Sequence, residues 1–145
     1  MTNAQRVFDL TMALMDEMSE SGQTDTADTK EYKNRTLNIL NVLRGELYPY
    51  SDTYAEAEAA GKRPIAEVIE DFEGAIALDD YNCQSVLPYG LAAHLLLDEN
   101  PSAASFFQQK YEELKASLAR GIPQSSVDIE DVYGGYYPHN DFGWW

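Results

Sequence analysis

Apolar residues recur with helical spacing at the start of the chain. They stand three and four positions apart, as in an amphipathic helix, and are Val7, Phe8, Thr11, Met12, Leu14, Met15 and Met18. This pattern predicts a first helix from about Asn3 to Ser19. Gly22, followed by polar turn-forming residues, is the predicted stop of this segment.

A second stretch with the same period runs from about Asp28 to Pro49. Asp28 and Glu31 have the spacing of a capping box, in which side chains satisfy the free backbone N–H groups at a helix start. Proline cannot continue a helix, so Pro49 is expected to end this one. The predicted apolar face consists of Tyr32, Thr36, Ile39, Leu40, Leu43 and Leu47.

The region after Pro49 has a weaker pattern. Residues Tyr54 to Ala60 are rich in alanine and glutamate and predict a short helix, which Gly61 and Pro64 end. The next helical stripe consists of Ile65, Val68, Ile69 and Phe72. We predict a helix from Ile65 to Phe72, with a short extended arm as the alternative.

The most apolar segment runs from Asp79 to Leu97. Its leucines and alanines from Leu91 onward cover most directions around a helix, which indicates burial on most sides. Pro88 lies inside the segment and removes one backbone hydrogen bond. We therefore expect a kink there, or a helix in two pieces.

Asn100 and Pro101 give the N-cap and first position of a last helix, and Gly121 is well placed to end it. Its predicted apolar face consists of Phe107, Tyr111, Leu114 and Leu118. The short link at Asp98-Glu99 predicts an antiparallel pair with the preceding helix. Together these elements predict an all-α fold, a small bundle of four or five helices in one domain over residues 1–121.

The chain changes character after Gly121. Residues 122–145 contain no lysine or arginine, four acids and several turn-forming glycines and prolines. Six aromatic residues occupy the end of the chain: Tyr133, Tyr136, Tyr137, Phe142, Trp144 and Trp145. Because each ring can bury about 150–250 Å², we interpret residues 122–145 as an irregular C-terminal arm that docks on a partner through these six side chains.

Two further interpretations of the arm stay open. Val127-Asp128-Ile129 alternates apolar and polar residues, as in a short strand that adds to the edge of a neighbour. Alternatively, the aromatic rings fold back and cover the core of their own chain.

The charge of the chain limits its partners. It has 145 residues with 25 acidic and 10 basic side chains, for a net charge of −15. Basic residues supply the affinity for phosphate backbones, so we expect no specific nucleic-acid binding.

A hydrophobic content of 44% is ordinary for a globular protein. The sequence has no signal-like leader and no apolar run of about 18 residues, so we expect neither membrane insertion nor export.

Few residues have the spacing of a catalytic or metal site. His94 and Asp98 are four apart on one predicted helix, but no second histidine motif accompanies them. Cys83 is the single cysteine, so an intramolecular disulfide is excluded, and we interpret it as a packing residue in a reducing compartment. The acids at 67–71 and 79–80 lack a calcium-loop pattern and are interpreted as solvated. We predict no catalytic residue, no metal and no cofactor.

Several short features carry a resemblance to a known family. They are Tyr32-x-x-Arg35, Leu37-Asn38-x-Leu40, Glu46-Leu47, the run Leu87-Pro88-Tyr89-Gly90-Leu91-Ala92-Ala93-x-Leu95-Leu96, and Asp98-Glu99-Asn100-Pro101 followed by Ala104, Phe106 and Tyr111. With the N-terminal helix they span about residues 3–118. In these features the chain resembles the small all-helical head–tail connector proteins of tailed bacteriophages and prophages, which are also called head completion or adaptor proteins.

The resemblance implies a non-enzymatic structural protein of the virion, present in the host bacterial cytoplasm during assembly. It implies a homo-oligomeric ring that contacts the portal protein on one side and a tail-completion or stopper protein on the other. The C-terminal segment would then reach into the portal. An acidic lumen would let DNA pass through such a ring without binding to it.

Two other functional classes remain as alternatives. An acidic DNA mimic, or another protein-binding inhibitor, would place its carboxylates in the phosphate sites of a nucleic-acid-binding protein. In this chain, however, the acids are interspersed with bases and do not form one long stripe. A small metal-dependent helical enzyme would use His94 together with neighbouring carboxylates.

Overall fold

The structure is a computed structural model and describes residues 1–121. Its five α-helices are α1 (Ala4–Leu14), α2 (Lys30–Leu47), α3 (Asp52–Ala59), α4 (Leu87–Leu95) and α5 (Pro101–Gly121). A 3₁₀ turn at Tyr48–Tyr50 follows α2, and a π-helical turn at Asn82–Val86 precedes α4. Residues 1–121 contain no strand beyond an isolated bridge between Asn3 and Ala75. The predicted all-α bundle is confirmed.

The first helix, α1, is shorter than its apolar pattern predicts. It ends at Leu14, well before the predicted Ser19. Asp16 takes a left-handed conformation with φ of 58°, which aspartate tolerates better than most residues. The N–H of Glu17 then donates to the carbonyl oxygen of Met12 at 2.9 Å, and this bond closes the helix end.

The start of α2 also differs from the prediction. Thr29 occupies the N-cap position, but its hydroxyl makes no capping bond. It donates instead to the carbonyl oxygen of Thr24 at 2.5 Å, which closes the turn before α2. The predicted capping box of Asp28 and Glu31 is therefore wrong. The predicted apolar face is confirmed, with Tyr32, Thr36, Leu40, Leu43 and Leu47 buried and Ile39 half-buried.

The helix predicted from Ile65 to Phe72 is wrong. The short helix α3 forms as expected and closes with Gly61 in the left-handed region, at φ of 71°. The chain then runs without regular secondary structure to residue 79. Side chains of α2 and of the 3₁₀ turn after it bond to the backbone of residues 65–69, which takes up groups that a helix would need for itself. The alternative expectation, an extended arm, describes this region.

The apolar segment before Asp98 forms in two pieces, as predicted. The π-helical turn Asn82–Val86 comes first and leads directly into α4, with Pro88 as the second residue of α4. Next, α5 begins at Pro101, and the side chain of Asn100 caps it by accepting from the N–H of Ala103 at 3.2 Å. These start signals are confirmed.

The centre of the core is α4, which packs most extensively on α5, α1 and α2. At Gly90 it meets two of these helices at once. A Cβ at this position would lie 3.0 Å from Cδ1 of Leu43 in α2 and 3.0 Å from two ring carbons of Tyr111 in α5. The three helices can approach this closely because residue 90 has no side chain.

We expect Gly90→Ala to destabilise the protein by up to about 2 kcal/mol. Overpacking a buried site costs about 1–3 kcal/mol, and the better helix propensity of alanine offsets about 1 kcal/mol of that loss. The free energy of unfolding of the full chain is measured by urea denaturation, with the helical circular dichroism signal as the probe.

The matched control is Gly45→Ala, also within a helix. No atom lies within 4 Å of a Cβ placed at Gly45, which is exposed on α2. This variant should gain about 0.5–1 kcal/mol, because alanine loses less backbone entropy on folding than glycine does. Equal stabilisation of both variants would contradict the close approach at Gly90.

Candidate interaction surfaces

The six aromatic residues predicted to bind a partner lie outside the described residues. They are Tyr133, Tyr136, Tyr137, Phe142, Trp144 and Trp145. Their role stays a prediction, as does the division of the chain into a helical domain (1–121) and an arm (122–145). The described body offers surfaces of its own on which a partner can pack, and two of them are described below.

The first surface is a groove between the end of α4 and the first half of α5, which we call the hairpin groove. It is lined by Ala93, His94, Leu97, Pro101, Ala104, Ser105, Gln108, Gln109 and Glu112 and has a volume of about 540 Å³. Ala93 and Ala104 are buried, and Leu97 is 62% exposed. Exposed apolar side chains beside a concave apolar surface are typical of a binding site.

Two tyrosines hold the α4–α5 pair against α2. The hydroxyl of Tyr111 donates to Glu46 of α2 at 2.7 Å, and that of Tyr32 in α2 donates to Glu99 in the α4–α5 connection. Burial, followed by the bond to Glu99, raises the pKa of Tyr32 to about 12. Burial and the bond to Glu46 likewise raise the pKa of Tyr111. Both hydroxyls therefore remain donors at neutral pH, and the helices that form the hairpin groove are fixed to the body.

The candidate metal residues His94 and Asp98 are both exposed. Within the part of the chain that the structure describes, no group of three or more histidine, cysteine, aspartate or glutamate side chains could hold a metal ion. Protein metal sites usually draw three or four ligands from the chain. The structure instead places His94 in the lining of the hairpin groove, where it contributes a polar side chain.

Cys83 lies in the core, with its Sγ 3.8 Å from the carbonyl oxygen of Leu78. Burial raises the pKa of the thiol to about 12, and the negative charges of Asp80 and Asp79 add to this effect.

Asp80 accepts hydrogen bonds from the backbone N–H of Thr2 at 2.9 Å and from the hydroxyl of Thr2 at 2.8 Å. The bond from the hydroxyl is the main cause of the lowered pKa of Asp80. Asp80 thus anchors the start of the chain.

We expect Cys83 to be inert towards a thiol reagent in the native protein. A pKa near 12 lowers the thiolate fraction at pH 8 roughly a thousandfold relative to an ordinary thiol, and burial restricts access further. Ellman's reagent should label the full chain rapidly in concentrated guanidinium chloride and at least about a hundredfold more slowly without it. Fast labelling of the native chain would show an accessible, activated thiol.

The second surface is the extended segment, residues 62–70, which lies along α2. Side chains of α2 and of the 3₁₀ turn that follows it donate to its carbonyl oxygens at every second residue, and Asn41 also accepts from an N–H. The pairs are Tyr48 with Ile65 (3.0 Å), Arg44 with Glu67, and Asn41 with Ile69 (3.0 and 2.8 Å). A repeat of two residues is the period of an extended strand. One edge of the segment is thus fixed to α2.

Arg44 is the residue of this surface that the sequence reasoning missed. It stands four residues after Leu40, on the apolar side of α2, and it is buried, which lowers the pKa of its guanidinium. Among residues 1–121 it has no ion-pair partner, so the carbonyl oxygen of Glu67 supplies the acceptor. An arginine on the apolar face of a helix was the available signal, because a buried guanidinium needs an acceptor from elsewhere in the chain.

The outer side of the extended segment is open to solvent. Ile65 is 74% exposed and Val68 is 67% exposed. Lys62 and Arg63, two of the ten basic residues of the chain, are exposed at its start. Glu67 and Glu70 of the same segment are exposed as well, so this surface is partly apolar and its charges balance, on a chain that is otherwise strongly acidic.

No protein-family model, curated protein or solved structure matches this chain. None of the helices within residues 1–121 combines the length and the apolar character needed to span a membrane. The two surfaces of the helical body and the sequence of the arm are therefore the observations on which a functional interpretation can rest.

Proposed function

We propose that the chain is a non-enzymatic structural protein of a tailed bacteriophage or prophage, and that it forms a homo-oligomeric ring in the neck of the virion. The ring joins the portal protein to the tail-completion or stopper proteins. The sequence features from Tyr32 to Tyr111 that resemble head–tail connector proteins support this proposal. The small all-α body is compatible with it.

One observation of the structure carries the proposal: different elements of the body form unlike surfaces with exposed apolar side chains. The hairpin groove is formed by α4 and α5. The extended segment is bound through Arg44, whereas α5 contacts α2 through Glu46. At about 100° per residue, these two positions lie about 160° apart around α2.

The difference between the surfaces bears on the kind of assembly. A subunit of a ring contacts its two neighbours through two different surfaces. A two-fold dimer, by contrast, uses one self-complementary surface twice. Unlike apolar surfaces on one body are therefore compatible with a ring.

In this proposal the arm and the net charge have separate roles. The six aromatic residues of the arm act as anchors in the portal, and many individually weak contacts around a ring add up to a stable assembly. The charge of −15 keeps passing DNA from adhering to the lumen.

Leu97→Ser should weaken ring assembly. Burying a leucine contributes about 1.5–3 kcal/mol, so each subunit contact should weaken about tenfold to a hundredfold. The measurement is mass photometry and negative-stain electron microscopy of the full chain, mixed with the portal protein from the same genome.

The control for this variant is Val42→Ser. Val42 is 64% exposed on α2 and does not line the hairpin groove, so this variant should assemble like the unsubstituted chain. Equal assembly of the two variants would remove the groove from the interface. A chain that never forms a ring with the portal protein would overturn the proposed function itself.

Deletion of residues 122–145 tests whether the arm docks on a partner. The shortened chain should keep the helical circular dichroism spectrum and unfold within about 4 °C of the full chain, since a shift of that size corresponds to about 1 kcal/mol. It should also lose binding to the portal protein. A large drop in the unfolding temperature would show instead that the aromatic rings cover the core of their own chain.

A further inference from the structure

A further concave surface lies between α1 and α5, on the other side of α5 from the hairpin groove. Both helices pack on α4 but make few contacts with each other. Pro88 and Tyr89 of α4 lie in the lining between them. On α5, Gln108 lines the hairpin groove and Lys110 lines this surface, about 160° apart around the helix at about 100° per residue. We call it the α1–α5 cleft.

The walls of the α1–α5 cleft are apolar, and its volume is that of a small-molecule site. Leu10, Ala13 and Leu14 supply the α1 side, and Leu114 supplies the α5 side. Leu14 is 38% exposed, so part of this apolar surface is open to solvent. The volume is about 390 Å³, and ligand sites typically measure about 300–1,000 Å³. Since a liquid water takes up about 30 Å³, the cleft holds about a dozen non-hydrogen atoms.

The π-helical turn before α4 borders the cleft as well. Gln84 and Ser85 of this turn lie in the lining and add two polar side chains. Single π-helical turns within helices are frequent at functional sites. The apolar walls and an unusual backbone feature therefore meet at one place in this fold.

Lys110 is the single charged residue in the lining. It is half-buried, and within residues 1–121 it takes part in no ion pair. The acids Glu112 and Glu113 that follow it on α5 are exposed and lie outside the cleft, with Glu112 in the hairpin groove. No acidic residue of the described chain lines the cleft. One cation against apolar walls complements a ligand that combines an apolar chain with one anionic group.

The size of the cleft and its one cation narrow the class of ligand. Nine residues line it, whereas a stable protein interface uses about 20–30 residues on each side. A carboxylate carries one negative charge and matches the one ammonium group. A phosphate group carries about two charges, and the second would lack a partner in the lining, which costs free energy. An apolar chain of about ten carbons brings a carboxylate to the dozen atoms that the volume holds.

We propose that the α1–α5 cleft binds a small amphiphilic carboxylate with an apolar chain of about ten carbons. The chain lies against the leucines of α1 and α5, and the carboxylate accepts from the ammonium group of Lys110. This site is independent of the proposed function, because it shares no lining residue with the hairpin groove or the extended segment.

Isothermal titration calorimetry of the full chain with hexanoate, octanoate and decanoate tests the apolar part of the site. Each added methylene group should tighten binding about twofold to fourfold, because its burial removes apolar surface from water. Decyl phosphate should bind more weakly than decanoate. Equal affinity for all three carboxylates, or a decanoate Kd above about 1 mM, would overturn the site. Tighter binding of decyl phosphate would overturn the carboxylate as its head group.

Lys110→Gln separates the charge from the apolar walls. This variant should bind decanoate about threefold to tenfold more weakly and neutral decanol unchanged, since the alcohol has no charge to pair. Lys110→Arg keeps the charge and should retain decanoate binding. The matched control is Lys62→Gln, which removes the same charge from an exposed position outside the cleft. Equal weakening by both glutamine variants would show an effect of net charge and overturn the role of Lys110.

Filling the cleft tests its location. Ala13→Phe should abolish binding of decanoate and decanol alike, because the ring takes up the space of the chain. Ala13 is exposed, so the larger side chain leaves the core packing intact. Ala116→Phe, at an exposed position of α5 outside the cleft, should bind both ligands like the unsubstituted chain. The helical circular dichroism spectrum checks that both variants are folded, and undiminished binding by a folded Ala13→Phe would overturn the proposal.

Nuclear magnetic resonance of leucine methyl groups in the full chain locates the ligand directly. Decanoate should shift the signals of Leu10, Leu14 and Leu114, which line the cleft, and leave that of Leu97 unchanged. Leu97 lines the hairpin groove and serves as the internal control. Shifts at Leu97 without shifts at the three cleft leucines would place the ligand in the groove and overturn the assignment to the cleft.

Discussion

The close approach of three helices at Gly90 is the constraint on which the body of this protein depends. A Cβ at this position would lie 3.0 Å from Leu43 and Tyr111, so a methyl group would require both side chains to shift. The bond from Tyr111 to Glu46 opposes such a shift of the ring. The position of α5 on α2, and with it the shape of the hairpin groove, therefore follows from one residue without a side chain.

Most of the helical architecture could be predicted from local patterns, because amphipathic periodicity and start signals act within one element. The apolar face of α2 and the cap at Asn100 are examples. The errors arose where a single side chain or a distant element decides the local structure. Asp16 ends α1 through its own backbone conformation, which periodicity does not register. The stripe at Ile65–Phe72 satisfies a helical pattern, but its backbone is bound by α2 residues more than twenty positions away.

The interaction surfaces were harder to predict than the fold. The alanines that form the floor of the hairpin groove have the same pattern as ordinary core alanines, and only the packing of α4 on α5 shows that a concave surface lies beside them. The role of Arg44 depends on a carbonyl group supplied by another part of the chain. The docking role of the arm is predicted from composition alone and stays a prediction.

The π-helical turn before α4 has a consequence for how the chain tolerates length changes. A π turn accommodates one residue more than an α-helical turn, so Asn82–Val86 stores a single extra residue inside a buried helix. Loss of one residue there would convert the turn to α geometry while the residues on either side kept their faces. The carboxylate of Asp80 would still meet Thr2, and Gly90 would keep its place, so this turn is the point in the buried helix where a change of one residue in length is tolerated best.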